Sequence, residues 1–174
     1  MHCPAWQADL VTCTLILLRH AKSDWPEGVP DHDRPLAKRG RRDAPEVGRW
    51  LRGHNYLPGT VVCSTAQRTR ETWDLVAAKL GGAAPAVTFE PRAYGATPHT
   101  LLYLVQELPP ATRTALLIGH NPGISELASA LAEAPLSFPT AAVAVLEFDC
   151  DWSHLEPGQA YLANYVIPAD LPQD

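Results

Sequence analysis

The sequence predicts an α/β fold, a three-layer sandwich in which helices cover both faces of a mostly parallel central sheet. Three observations carry that prediction. Short apolar runs of strand length alternate with longer amphipathic stretches. Two of the runs, Thr14–Leu18 and Thr114–Ile118, are continuously apolar, as strands buried on both faces are. Two further candidate strands near the end of the chain, separated by a turn-rich segment, suit a hairpin and give the sheet an antiparallel edge.

Taken in order, Thr14–Leu18 is the first strand, followed by a polar loop rich in Pro and Asp from Ala21 to Pro35. From Ala37 to about Arg52 the pattern is helical, with Val47, Trp50 and Leu51 on one face and Arg39, Arg42 and Arg49 elsewhere. Gly59–Cys63 reads as the second strand. Ser64 and Gln67 offer a capping box for a helix that Gly81-Gly82 stop after Leu80. Ala86–Phe89 is a weak third strand, and Thr97-Pro98 opens the next helix with a cap and a proline at its first position. Thr114–Ile118 follows, and Asn121-Pro122 repeats the cap-plus-proline start for a helix to about Ala134. Ala142–Phe148 and Tyr161–Ile167 form the hairpin.

The length of 174 residues and the 46% hydrophobic content suit one domain with a single core, expected over residues 14–174, with residues 1–13 as an extension. The four cysteines make no C-x-x-C pair and no zinc-like spacing, so reduced thiols and no metal are expected. The apolar run Leu10–Leu18 is too short to cross a bilayer, has no basic residue before it, and is followed by Arg-His instead of a small-residue cleavage site. These features predict a cytoplasmic protein without a membrane partner.

The net charge of -5 argues against a nucleic-acid partner. Its distribution is uneven: eleven of the 14 Lys and Arg residues lie between Arg19 and Arg70, and none follows Arg113. A basic half on an acidic protein points to a local anion site.

Ligands of open α/β sheets bind beyond the carboxyl ends of the strands. Arg19-His20 follows the first strand, Ser64 to Thr72 with Arg68 the second, and Gly119-His120-Asn121 the fourth. Two histidines and two arginines thus converge on one crevice, a set suited to phosphoryl transfer. Arginine presents a planar fork of donors to phosphate oxygens. A neutral imidazole is a competent nucleophile near pH 7, and neighbouring cations favour its neutral form. Lys22, Ser23, Arg34 and Asn121 are further candidates for contact with substrate, Asn121 being most simply a helix N-cap.

Leu17-Leu-Arg-His20, Ser64-x-Ala-x-Arg68-Thr-x-Glu-Thr72 and Gly119-His-Asn121, in that order, resemble the histidine phosphatase (phosphoglycerate mutase-like) superfamily. Arg-His-Ala-Lys-Ser, Asp33-Arg-Pro-Leu36, Tyr94-Gly95 and Gly119-His-Asn-Pro-Gly123 resemble its compact SixA-type phosphohistidine phosphatase branch. The resemblance covers roughly residues 14–134. It implies that His20 is the nucleophile, that Arg19, Arg68 and His120 bind the transferred phosphoryl group, and that no cofactor is needed. The implied partner is a phosphorylated substrate, a phosphohistidine-carrying protein among the candidates. The usual Arg-His-Gly reads Arg-His-Ala21 here, and Ala37 stands where a capping Thr is common.

Many relatives carry a Glu that protonates an alkoxide leaving group. The candidates here are Asp24, Glu27, Asp31, Asp33 and Glu90, and spacing selects none of them. A phosphohistidine substrate needs less acid help, because neutral imidazole leaves readily. Other readings are a mutase, which the short chain disfavours, and a non-catalytic phospho-binding module, which would need the arginines but not His20. A cysteine phosphatase requires Cys-x5-Arg, and Cys63-x4-Arg68 is one residue short. A P-loop is absent.

Overall fold

In the computed structural model residues 11–172 are described, so most of the expected extension lies outside the described residues. The strands are β1 (Cys13–Arg19), β2 (Thr60–Ser64), β3 (Ala86–Glu90), β4 (Thr114–Gly119), β5 (Val143–Phe148) and β6 (Tyr161–Val166). The helices are α1 (Lys38–Gly53), α2 (Gln67–Leu80), α3 (Pro98–Gln106) and α4 (Gly123–Ala132). The sheet order is β3-β2-β4-β1-β5-β6. The first four strands in that order are mutually parallel, and β5 and β6 run antiparallel at one side. This is the expected α/β architecture with its antiparallel edge.

The alternation within β1 explains the sandwich. Leu15 and Leu17 join the core built with α3 and α4, where Leu101, Leu127 and Trp152 are buried. Ile16 and Leu18 point to the opposite face and join the core built with α1 and α2, around Val47, Leu51 and Val76. A strand with both faces covered has to be apolar at every position, which is why these runs do not alternate.

Four local expectations change. Ser64 closes β2 and does not cap α2, whose first turn follows Ala66 with no side-chain cap. The Ser64 hydroxyl has a stronger partner in His120, described below. Asn121 does not cap α4 either: the helix starts at Gly123, and the Asn121 amide donates to the Phe138 carbonyl at 2.8 Å. The same helix ends at Ala132, where Glu133 turns into left-handed backbone. β1 begins at the buried Cys13, one residue before the predicted start. By contrast, Thr97 does cap α3, accepting from the Thr100 N–H.

The loop after β1 is bound tightly to α1. The Ala37 N–H donates to the Lys22 carbonyl, and Ser23 bridges to Leu36. Gly40 of α1 lies directly against Lys22, where a Cβ would stand 2.1 Å from the carbonyl oxygen. Ala21 has no left-handed backbone; its N–H donates to Thr72 Oγ1 at 3.0 Å. Alanine is therefore accommodated where the resemblance leads one to expect glycine.

Candidate active site

His20 emerges from the end of β1 with its backbone held on two sides. Its N–H donates to the Gly119 carbonyl of β4, and its carbonyl accepts from the Ala141 N–H. Ala141 itself is buried in left-handed backbone (φ 63°), a conformation that costs a non-glycine residue energy and persists where surrounding contacts enforce it.

The His20 ring is buried and its two nitrogens have different partners. Nδ1 lies 2.8 Å from the Ala21 carbonyl, which can only accept, so Nδ1 carries the proton. Nε2 therefore presents a lone pair, and Arg68 Nε donates to it at 3.3 Å. The backbone thus fixes the tautomer that leaves Nε2 nucleophilic.

His120 stands beside it, with ring centroids 5.2 Å apart. Its Nε2 is 2.7 Å from Ser64 Oγ. We assign the hydroxyl as donor, which leaves the proton on Nδ1. That atom is buried and has no partner among the described residues, and the same is true of Arg19 Nε. An unmet buried donor costs about 1–3 kcal/mol, a cost that phosphate oxygens would offset. Arg19 Nη1 donates to the Phe138 carbonyl, the oxygen that also receives Asn121. One carbonyl in the segment before β5 therefore anchors two of the predicted site residues.

Arg68 is buried in the first turn of α2. Beyond His20, its Nη1 donates to the Asp31 carbonyl at 2.7 Å and its Nη2 to Asp31 Oδ2 at 3.2 Å. The rest of the α2 motif fixes surrounding chain. Thr69 donates to the carbonyls of Ser64 and Ala66, Thr72 holds Ala21, and Glu71 accepts the Leu36 N–H at 2.7 Å.

His20, Arg19, Arg68 and His120 are brought together. Arg34 and Ser23 are near but do not touch this group. Arg34 spends its donors on Ser23 Oγ, the Asp24 carbonyl and Asp31 Oδ1, and its guanidinium packs 3.3 Å from the centre of the exposed Trp25 ring. Lys22 has an exposed side chain and contributes its carbonyl to the loop. Asn121 reaches the site only through the shared Phe138 oxygen.

Sequence reasoning left Asp31 undistinguished and assigned no role to Tyr94. Asp31 accepts from Arg34, Arg68 and the Tyr94 hydroxyl. The Tyr94 bond, then Arg34 and Arg68, hold its carboxyl well below the usual carboxylate range, so it is ionised. The Tyr94 ring meets His120 edge-on, with centroids 5.5 Å apart. The Tyr94-Gly95 pair was the available signal, but it carries no spacing relation to Asp31. Glu90, another acid candidate, is engaged with Arg92, which also binds Glu107. Among the described residues no group of three or more His, Cys, Asp or Glu side chains is placed to hold a metal.

Burial pushes His20 down to about 3, helped by His120, Arg68 and Arg19 and opposed by its bond to the Ala21 carbonyl. Burial, then Arg68, pushes His120 down to about 4. Both folded values lie below the ordinary histidine value, so below about pH 6.5 the unfolded chain binds more protons than the folded one. The stability gained from keeping the rings neutral is present in full above that pH and is lost as pH falls towards the folded values. In phosphate-free buffer, acidification from pH 7 to pH 5 is expected to lower the unfolding free energy by about 4 kcal/mol, roughly half of it from each ring. Urea unfolding at the two pH values measures this. His20→Ala should roughly halve the dependence, leaving the part due to His120, and an unaltered slope would contradict the burial-driven shift.

Two arginines, an imidazole lone pair turned towards Arg68 and two buried donors without a partner among the described residues form a set suited to holding a phosphoryl group at the carboxyl edge of the sheet. A model of the histidine phosphatase superfamily (branch 1) matches residues 15–92. A Nakamurella multipartita structure named for the phosphohistidine phosphatase SixA superposes with a TM-score of 0.80 at 33% identity, covering 90% of this chain and 96% of that one. An uncharacterized Mycobacterium tuberculosis protein is 40% identical over 162 residues, 87% of this chain and 99% of its own length. A SixA protein histidine phosphatase solved with tungstate shares the fold at a TM-score of 0.74 and 23% identity, covering 91% of this chain and 99% of that one. The chain belongs to the histidine phosphatase superfamily, in its SixA-type branch, and is a histidine-dependent phosphatase.

Proposed function

We propose that the protein is a phosphohistidine phosphatase in which His20 carries the phosphoryl group between substrate and water. The observation that carries this reading is the fixed tautomer of His20, with Nδ1 on the Ala21 carbonyl and the Nε2 lone pair beside Arg68. In the first step Nε2 forms a bond to phosphorus as the bond to the substrate's leaving atom breaks. Arg19, Arg68 and His120 Nδ1 bind the equatorial oxygens, whose charge dominates the transition state. The phosphorylated imidazole keeps its Nδ1 proton, and the Ala21 carbonyl stabilises the resulting positive ring. Water then attacks phosphorus, the P–N bond breaks, and its electron pair returns to Nε2.

The choice of a nitrogen leaving group follows from the acids. An alkoxide has to be protonated as it leaves, and the carboxylate joined to this cluster, Asp31, is held ionised. General acid help contributes about 10²- to 10⁴-fold where it is needed. A protonated phosphoimidazole departs as neutral imidazole without it. The names of the SixA neighbours support the same class of substrate.

The test compares kcat/KM on a phosphohistidine peptide and a phosphoserine peptide of the same sequence. A preference for phosphohistidine of about 10²-fold or more is expected, the factor an absent acid withholds from the ester. Equal or reversed preference would reject the phosphohistidine reading in favour of an ester substrate.

A further inference from the structure

The phosphoryl group passes from one imidazole to another, and the two rings have the same need. The ring that bonds phosphorus becomes positively charged and holds a proton on its far nitrogen, so each requires an acceptor there. For His20 that acceptor is the Ala21 carbonyl. For the substrate's ring an acceptor has to stand on the open side of the phosphate site.

Asp31 meets that requirement by connection, exposure and hydrogen-bonding capacity. Arg68 reaches His20 Nε2 with Nε and Asp31 Oδ2 with Nη2, so one rigid guanidinium spans the nucleophilic nitrogen and the carboxylate. The Asp31 side chain is 47% exposed while those of Arg68 and Arg34 are 8% exposed, so the carboxylate is open to solvent beside the buried guanidinium and a substrate group can reach it. A carboxylate offers about four acceptor positions. Oδ2 takes Arg68 and Tyr94, and Oδ1 takes Arg34 alone. One position on Oδ1 remains. The other acids of this region are engaged differently: Glu90 with Arg92, Asp24 with the Trp25 N–H, and Asp33 with His32.

We propose that Asp31 is the specificity-determining group of the site, its carboxylate accepting the hydrogen bond of the far ring N–H of the substrate's phosphoimidazole. The inference rests on the phosphohistidine reading above. In the transfer step the P–N bond of the substrate breaks and its electron pair goes to the leaving nitrogen. The proton on the far nitrogen stays where it is, and neutral imidazole departs. No proton crosses to or from Asp31. A phosphoester gains nothing from this group, because its oxygen needs a proton that the carboxylate does not carry.

The experiment measures kcat/KM for wild type and Asp31→Asn on a phosphohistidine peptide and on p-nitrophenyl phosphate, whose phenolate leaves without a proton. Asparagine keeps the shape but removes the charge and one accepting oxygen, a loss at Arg34 or Arg68 that both substrates share, and the thermal midpoint of the variant checks its fold. A loss on the peptide at least about tenfold greater than the loss on p-nitrophenyl phosphate is expected for a charge-assisted hydrogen bond to the leaving ring. Equal losses on both substrates would overturn the inference, since Asp31 would then act only by orienting Arg68, and so would an unchanged rate on the peptide. If wild type hydrolyses p-nitrophenyl phosphate but not the peptide, the phosphohistidine reading itself fails and this inference falls with it.

Discussion

His20→Ala is expected to lower kcat by about 10⁴- to 10⁶-fold, because it removes the atom that, in the proposed mechanism, bonds to phosphorus. The remaining cations of Arg19 and Arg68 stay in place, so weak binding of inorganic phosphate should survive. The fold should survive as well. The main-chain bonds of His20 to Gly119 and Ala141 do not involve the side chain. Removing a buried ring that resists protonation also relieves part of the acid sensitivity described above. Steady-state hydrolysis of p-nitrophenyl phosphate measures the loss. A variant within tenfold of wild type would mean that water or another group attacks phosphorus directly.

Arg68→Ala is expected to cost about 10²- to 10³-fold or more in kcat/KM, the range for removing a preorganised donor to transition-state charge. The substitution strips three contacts at once: the bond to His20 Nε2 and those to the Asp31 carbonyl and carboxylate. Arg68→Lys should not restore activity, because one ammonium cannot span His20 and Asp31 as the planar fork does. The Asp31 side chain is half exposed, so loss of its ion pair should lower stability by only about 1 kcal/mol or less. Activity should therefore fall far more than the thermal midpoint. A lysine variant with wild-type activity would reduce Arg68 to a simple point charge.

The strands were legible because burial on both faces leaves an unbroken apolar run, as in Leu15–Leu18. The four reacting and phosphate-binding candidates were legible for a related reason. Strand ends in a parallel sheet share one edge, so His20, Arg68 and His120 could be grouped before any distance was known. The errors concern groups whose partners come from elsewhere in the chain. Ser64 has a good capping pattern in sequence, but its hydroxyl is taken by His120, 56 positions away. Asn121 likewise turns to Phe138 instead of the helix beside it. Asp31 could not be chosen from five acids, because its significance comes from Arg34, Arg68 and Tyr94 meeting at one carboxylate. Loop spacing does not encode that meeting.

The structure also gives a physical reason against the cysteine alternative. Cys63 is fully buried, faces the α1–α2 core, and burial pushes its thiol up to about 12. A thiolate nucleophile is unavailable there. The nitrogen of His20 is instead unprotonated across the neutral range and lies beside a fixed guanidinium.

The most direct measurement of that assignment is rapid-quench trapping of the protein during turnover of a ³²P-labelled phosphoryl donor, followed by mapping of the label. One phosphoryl group per chain, labile to acid, stable to base and located on His20, is the expected result. Label on a serine or cysteine, or turnover with no protein-bound label at the earliest times, would contradict the covalent role of His20.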